Sequence, residues 1–218
     1  MIKKFGPETA LLMIDVQVGV DDLGHWGGPT GRRNNPEAER NLQTLLEAWR
    51  EHGLPVIYTR HDSREAASPL RSDNPGFAFK AGLEPRETLP STKPSTEPVA
   101  EPVFVKHVNS GYIGTDLEDS LRQFGITRIV HVGFFTNMCV ESTVRMSGNM
   151  GFDSYLVDEA CCCTNRVGPD GTDYEPELIH ATTVANLHGE FCTNLSAADA
   201  LSLLEADAGH LERVQGNE

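Results

Sequence analysis

Positive charge is in short supply in this chain: 18 Lys and Arg stand against 32 Asp and Glu, a formal net charge of −14 over 218 residues. A field of that sign repels phosphate backbones and anionic headgroups, so neither nucleic acid nor a membrane surface is expected as a partner. Long apolar runs are also missing. Lys3-Lys4 followed by Ala10-Leu-Leu-Met-Ile14 resembles the start of a signal peptide, but Asp15 and Gln17 interrupt the run too early. No other stretch is long enough to span a bilayer, and a cytoplasmic protein is the expectation. Cysteine is scarce and badly spaced for crosslinks. Cys139, Cys161, Cys162, Cys163 and Cys192 are odd in number and three are consecutive, which suits neither a disulfide framework nor zinc spacing. All five are expected to be reduced. No internal repeat or low-complexity tract interrupts the chain.

What is present is an alternation of apolar and amphipathic segments. Strand-like runs at about 9–15, 55–60, 102–106, 127–133, 153–158 and 191–195 are separated by helical patterns, the signature of a parallel sheet with helices on both faces. The length fits one domain over 1–218, and the fold class is α/β, a doubly wound six-stranded sheet. Leu42, Leu45, Leu46 and Trp49 recur at i, i+3, i+4 and i+7, with Gly53 and Pro55 ending that helix, so the tryptophan belongs to the core. Ser196 is a candidate N-cap for a last helix with Ala197, Leu201 and Leu204 on its buried stripe. Between 63 and 102 the period disappears. Seven of the thirteen prolines lie from Pro69 to Pro102, which predicts a long loop able to roof a site or reach a neighbouring subunit. A second loop is expected from Cys161 to Pro176.

The chemistry gathers at strand ends. Gly133-Phe-Phe-Thr-Asn-Met-Cys-Val140 places Cys139 after an apolar strand at the first turn of a helix, where unpaired N–H groups and the helix dipole favour a thiolate. Asp15 closes the first strand and Lys106 closes the run Pro102-Val-Phe-Val. In an open parallel sheet all strand C-termini point to one edge, so Asp15, Lys106 and Cys139 are expected to converge at one crevice. A carboxylate tuned by an ammonium can accept a thiol proton.

These residues resemble the isochorismatase-like cysteine hydrolases, a family that includes nicotinamidases, N-carbamoylsarcosine amidases, and biuret and ureidoacrylate hydrolases. The resemblance covers most of the chain. It rests on Asp15-x-Gln17, on Lys106 with Ser110-Gly-Tyr-Ile-Gly-Thr-Asp-Leu117, and on Gly133-x-x-Thr136-x-x-Cys139-Val140 leading into Arg145. Met146-Ser147, where many relatives carry Asp-Ala, is a departure outside the chemistry. The resemblance implies that Cys139 attacks an amide-type carbonyl, that Asp15 moves the proton to the leaving nitrogen, and that Lys106 positions both. It implies an oxyanion hole of the Phe135 and Cys139 backbone amides, with a cis peptide between Phe134 and Phe135. It also implies a homo-oligomer, a dimer or tetramer.

The remaining candidates are substrate contacts. Gln17 shares the Asp15 strand face, Tyr112, Asn137 and Phe135 flank the triad, Phe77 and Phe79 are pocket walls from the long loop, and His61 ends the second strand. The nicotinamidase branch holds a metal near that strand end, but His61 and Asp62 are adjacent and point opposite ways in an extended segment. No metal and no cofactor are therefore expected. The reaction expected is hydrolysis of a C–N bond in a small amide, ureide or carbamoyl compound through a thioester. The alternatives are a vinyl ether hydrolase of the isochorismatase type, a non-catalytic binding domain on the same fold, and a redox protein using Cys161 to Cys163.

Overall fold

Every one of the six apolar runs is a strand in the computed structural model, which describes residues 4–86 and 100–205. The strands are β1 (Thr9–Ile14), β2 (Val56–His61), β3 (Val103–Lys106), β4 (Arg128–Phe134), β5 (Asp153–Cys162) and, after a small antiparallel pair β6 (Arg166–Val167) and β7 (Asp173–Tyr174), β8 (Thr193–Leu195). Their order is β3-β2-β1-β4-β5-β8, parallel throughout. The chain winds outward from β1 to β3, then restarts beside β1 with β4. The switch point therefore lies between β1 and β4, where an open α/β sheet parts to hold a ligand.

Buried parallel strands need a helix layer on each side, and the alternation of side chains supplies two cores. Leu11 and Met13 of β1 pack with Leu42, Leu45, Leu46 and Trp49 of α2 (Ala38–Glu51) and with Ala200 and Leu204 of α6 (Ala197–Glu205). Ala10, Leu12 and Ile14 face α3 (Leu117–Gln123), α4 (Glu141–Asn149) and α5 (Pro176–Leu187) through Leu117, Leu121, Val144 and Leu187. Each such large side chain, fully buried, contributes about 1.5–3 kcal/mol. Ser196 caps α6 as its sequence position indicates: its Oγ accepts from the Asp199 N–H at 3.0 Å and donates to the Asp199 carboxylate at 2.7 Å. A single helical turn, α1 (Leu23–Trp26), interrupts the β1–α2 connection.

Two boundaries differ from the sequence reading. β5 does not stop at 158 but continues to Cys162, so Cys161 and Cys162 lie in a central strand rather than a loop. The pairing of β4 with β5 shifts between His131 and Gly133, and this irregularity lets Asp158 and Glu159 sit in the strand without entering the core. The loop expected from Cys161 carries the β6–β7 hairpin instead of being irregular throughout. The long proline-rich loop holds one 3-10 turn at Pro75–Phe77 in its first part, and residues 87–99 of it lie outside the described residues.

One buried base makes the fold acid-sensitive. His131, in the middle of β4, donates through Nδ1 to the Tyr155 carbonyl at 2.9 Å, which fixes Nδ1 as the protonated nitrogen. Its Nε2 has no hydrogen-bond partner among the described residues. Burial drops the ring from the usual 6.5 to about 4, so the folded protein keeps it neutral where the unfolded chain would be charged. The stability this represents is intact above about 6.5 and is lost progressively as pH falls to about 4, a loss of about 3 kcal/mol. Urea unfolding between those pH values is expected to show it, and His131→Leu to flatten it; equal pH slopes in the two proteins would refute the assignment.

Candidate active site

The sheet edge brings the three strand-end groups into contact. Asp15 follows β1 directly and sits in the left-handed region at φ 49°, which a short polar side chain tolerates better than most. The Gln17 N–H closes the tight turn by donating to the Asp15 carbonyl at 2.8 Å. Lys106, at the end of β3, pairs in register with His61 of β2 and extends its side chain over β2 toward Asp15. Cys139 lies in a single π-turn, Thr136–Val140, that joins β4 to α4. Both Met138 and Val140 donate to the Phe135 carbonyl there, at 3.0 and 3.2 Å. The Phe134–Phe135 peptide is cis. Gly133 is required just upstream, since a Cβ at its φ of 123° would overlap the Ile14 carbonyl and push β1 from β4.

Lys106 makes three hydrogen bonds besides its ion pair with Asp15. They go to His61 Nδ1 at 3.0 Å, the Val108 carbonyl at 3.1 Å and Cys139 Sγ at 3.3 Å. Asp15 Oδ2 approaches the ammonium to 2.6 Å as an ion pair, yet it accepts no aligned hydrogen bond from any described residue. Asp15 Oδ1 takes a hydrogen bond from Thr59 Oγ1 at 2.8 Å. One carboxylate oxygen is thus anchored by the Thr59 hydroxyl and the other by the Lys106 ammonium, with the carboxylate within 4.8 Å of the Cys139 sulfur. Lys106 is 0% and Asp15 1% exposed, so this charge pair stands in a largely water-free setting.

Burial works against the Lys106 ammonium, but Asp15 and Cys139 outweigh it and raise its pKa above the ordinary lysine value. The Cys139 thiol is pushed up to about 12, first by burial and then by the Asp15 charge, with Lys106 only partly opposing them. This runs against the expectation of a thiolate at a helix start: desolvation, with the Asp15 carboxylate beside the sulfur, disfavours the charged form. In this setting the Cys139 side chain is held as a thiol. His61 is pushed down, first by burial and then by the Lys106 charge. Because an ammonium can only donate, His61 Nδ1 accepts and its ring proton sits on Nε2.

A cavity of about 340 Å³ opens over this cluster, lined by Asp15, His61 and Cys139 together with Trp26, Phe135 and Met138. Asn109, Ser63, Ser68 and Arg166 add polar groups to its wall. The sequence reading missed Trp26. Its indole donates to the Gly19 carbonyl at 2.8 Å and meets Phe135 edge-to-face at 5.4 Å between centroids. The signal available was positional, because the β1–α2 connection leaves the same sheet edge as Asp15.

Several predicted contacts lie elsewhere. Phe77 and Phe79 do not line the cavity but enclose the Arg60 guanidinium, 3.6 and 4.8 Å from their centroids, so Arg60 is a loop clamp rather than a plain surface group. Tyr112 is buried, donates to Ser147 at 3.2 Å and stacks on Phe152, a packing role. Gln17 is buried scaffold: its amide nitrogen donates to the His61 and Phe77 carbonyls, at 3.1 and 3.2 Å, and its oxygen accepts from the His61 N–H at 2.8 Å. It orients His61 instead of meeting a ligand. Asn137 also falls outside the cavity wall. Gln17, Tyr112 and Asn137 are near Asp15, Lys106 and Cys139 in sequence, but local backbone geometry turns them to other faces.

The ligand atoms of Asp15, His61 and Cys139 lie within 4.8 Å of one another, a convergence the adjacency of His61 and Asp62 did not suggest. Asp62 turns away and accepts from the Ser72 N–H at 2.8 Å. The convergent groups all face the Lys106 ammonium, a fixed cation that a divalent ion would have to displace, so the donor set does not fit a metal.

The other thiols are isolated from this site. Cys161, Cys162 and Cys163 are each 0% exposed. Iodoacetamide is expected to modify Cys139 at the cavity wall well before them, as peptide mapping would show; labelling of the trio with Cys139 untouched would contradict the geometry.

A doubly wound α/β sheet with a thiol, an ammonium and a carboxylate gathered at its switch point defines a class of enzyme-like sites. The chain belongs to the isochorismatase family of hydrolases: the family model described as Isochorismatase domain matches residues 9–193. It is 40% identical over 189 residues to the isochorismatase family protein YrdC of Bacillus subtilis, covering 87% of this chain and 92% of that one. An isochorismatase-family crystal structure from Chromobacterium violaceum is 40% identical, with a TM-score of 0.80 over 93% of this chain and 96% of that one. At greater distance, the ureidoacrylate amidohydrolase RutB of Acinetobacter baylyi is 25% identical over 173 residues, covering 71% of this chain and 70% of that one. Among the described residues no helix is long and apolar enough to cross a membrane.

Proposed function

We propose that this isochorismatase-family hydrolase is a cysteine amidohydrolase, cleaving a C–N bond of a small amide, ureide or carbamoyl compound without metal or cofactor. The observation that carries the reading is the buried cluster in which Lys106 pairs with Asp15 Oδ2 at 2.6 Å and donates to the Cys139 sulfur at 3.3 Å, so that carboxylate and thiol lie within 4.8 Å of each other. As Sγ attacks the carbonyl carbon, its proton passes to Oδ2, and the ammonium of Lys106 offsets the charge that would otherwise build up. The backbone amides of Phe135 and Cys139 serve the oxyanion. Collapse of the tetrahedral intermediate breaks the C–N bond, and the proton on Oδ2 goes to the leaving nitrogen. Water activated by the same carboxylate then hydrolyses the thioester, releasing the acid and restoring the thiol.

A cavity of this size suits a small planar substrate lying between Trp26 and Met138. Similarity to a ureidoacrylate amidohydrolase favours ureides within the class. The test is ammonia release from a panel of small amides, ureides and carbamoyl compounds, with Cys139→Ala as the control. Cysteine-dependent release supports the reading, whereas an inert panel and turnover of a vinyl ether that survives Cys139→Ala would overturn it. Activity is expected to persist through exhaustive dialysis against chelator, since Lys106 supplies the positive charge; loss restored by added zinc or manganese would count against this.

A further inference from the structure

Behind the nucleophile turn lies a buried polar chain to which the sequence drew no attention. His180 of α5, 7% exposed, reaches Thr136 Oγ1 through Nδ1 at 3.0 Å and Asp158 Oδ2 through Nε2 at 3.4 Å. A carboxylate only accepts, so Nε2 carries a proton, and in the neutral ring Nδ1 then accepts from the Thr136 hydroxyl. The Asn35 amide nitrogen is 3.5 Å from the same Nε2, but its two protons are spent on the Asp158 and Cys161 carbonyls at 3.0 and 2.7 Å. The chain is then closed from the far side: Asn194 of β8 donates to Asp158 Oδ1 at 2.9 Å. Burial works against the Asp158 charge, but hydrogen bonds from His180 and Asn194 more than offset it and lower the pKa of its carboxyl.

Thr136 is wholly buried and faces away from the cavity, so this Asp-His-hydroxyl chain does not act on substrate. Its position gives it another use. Thr136 is the first residue of the π-turn that carries Cys139, and π-turns are held by fewer good backbone bonds than an α-helical turn. Without an outside anchor the turn could relax toward an α-helix, rotating every later side chain. We infer that the Asp158–His180–Thr136 chain is a positioning device that clamps the π-turn to β5 and α5 and thereby holds Cys139 Sγ against Lys106 and Asp15. His180, Asp158 and Thr136 are positioning residues, none of them touching the reacting atoms.

The inference rests on Cys139 being the nucleophile, and its test separates it from the choice of substrate. Thr136→Val keeps the shape and removes the hydroxyl; Thr136→Ser keeps the hydroxyl and removes a methyl. Thr136→Val is expected to lower kcat about 10- to 100-fold with KM within about twofold, the pattern of a misplaced group. It is expected to slow iodoacetamide alkylation of Cys139 by a comparable factor, a readout that needs no substrate. Thr136→Ser should stay within about threefold of wild type in both. If the valine variant alkylates and turns over like wild type, or if the two variants lose reactivity equally, the hydroxyl relay is refuted and the residue is packing. Because alkylation is measured on the thiol itself, an inert substrate panel would sink the amidohydrolase reading and leave this result standing. His180→Gln gives a second arm: it retains a donor and acceptor, and it should fall between the valine variant and wild type in alkylation rate.

Discussion

Replacing Cys139 by alanine is expected to lower kcat by at least about 10⁴-fold while leaving the melting temperature nearly unchanged. The size of the effect follows from the site. Nothing else reachable in the cavity is a comparable nucleophile, because the remaining cysteines are buried in β5, beyond it, or under α5. The small effect on stability follows too, since the thiol accepts one long hydrogen bond from Lys106 and borders the cavity. Circular dichroism and single-turnover assays on the same preparation check both halves. An alanine variant with more than about a hundredth of the wild-type rate would mean that water is activated directly by Asp15 and that no thioester forms.

Lys106→Met is expected to be costly in two ways at once. It leaves Asp15, 1% exposed, as a buried carboxylate with only Thr59 and the backbone for support. Breaking a buried pair by removing one partner costs about 3–5 kcal/mol, more than either charge alone contributes when paired. Turnover should fall by about 10²–10⁴-fold, because the base then takes up a proton to relieve its own burial and can no longer accept one from the thiol. The double variant Asp15→Asn with Lys106→Met tests the argument, since two neutral groups leave no unpaired charge. It should recover most of the lost stability in urea unfolding and none of the activity. A single variant as stable as wild type would show that the pair is solvated in solution.

The convergence of Asp15, Lys106 and Cys139 was legible because it depends on topology alone. Each residue closes an apolar run, the runs are parallel strands, and parallel strands end at one edge whatever the helices between them do. The same logic fails for residues named through nearness in sequence. Tyr112 and Asn137 stand close to triad members along the chain, but local backbone geometry turns them to other faces. Phe77 and Phe79 were marked as pocket walls by their loop, and the loop instead closes on Arg60. Trp26 went unnoticed because its only signal was positional, in a long Gly-rich connection that leaves the sheet edge at Asp15.

The sequence by itself determined the layers, the six strands of the main sheet, the edge at which the chemistry gathers and the three groups that gather there, since periodicity and strand-end residues are local properties. Tertiary structure alone decided the raised pKa of the Cys139 thiol, the division of the Asp15 oxygens between Thr59 and Lys106, the tautomer of His61 and the contact of the π-turn with His180. Each of those depends on how many partners an atom meets and how much water it loses. Such quantities are set when elements distant in sequence close around a point, and no window along the chain contains them.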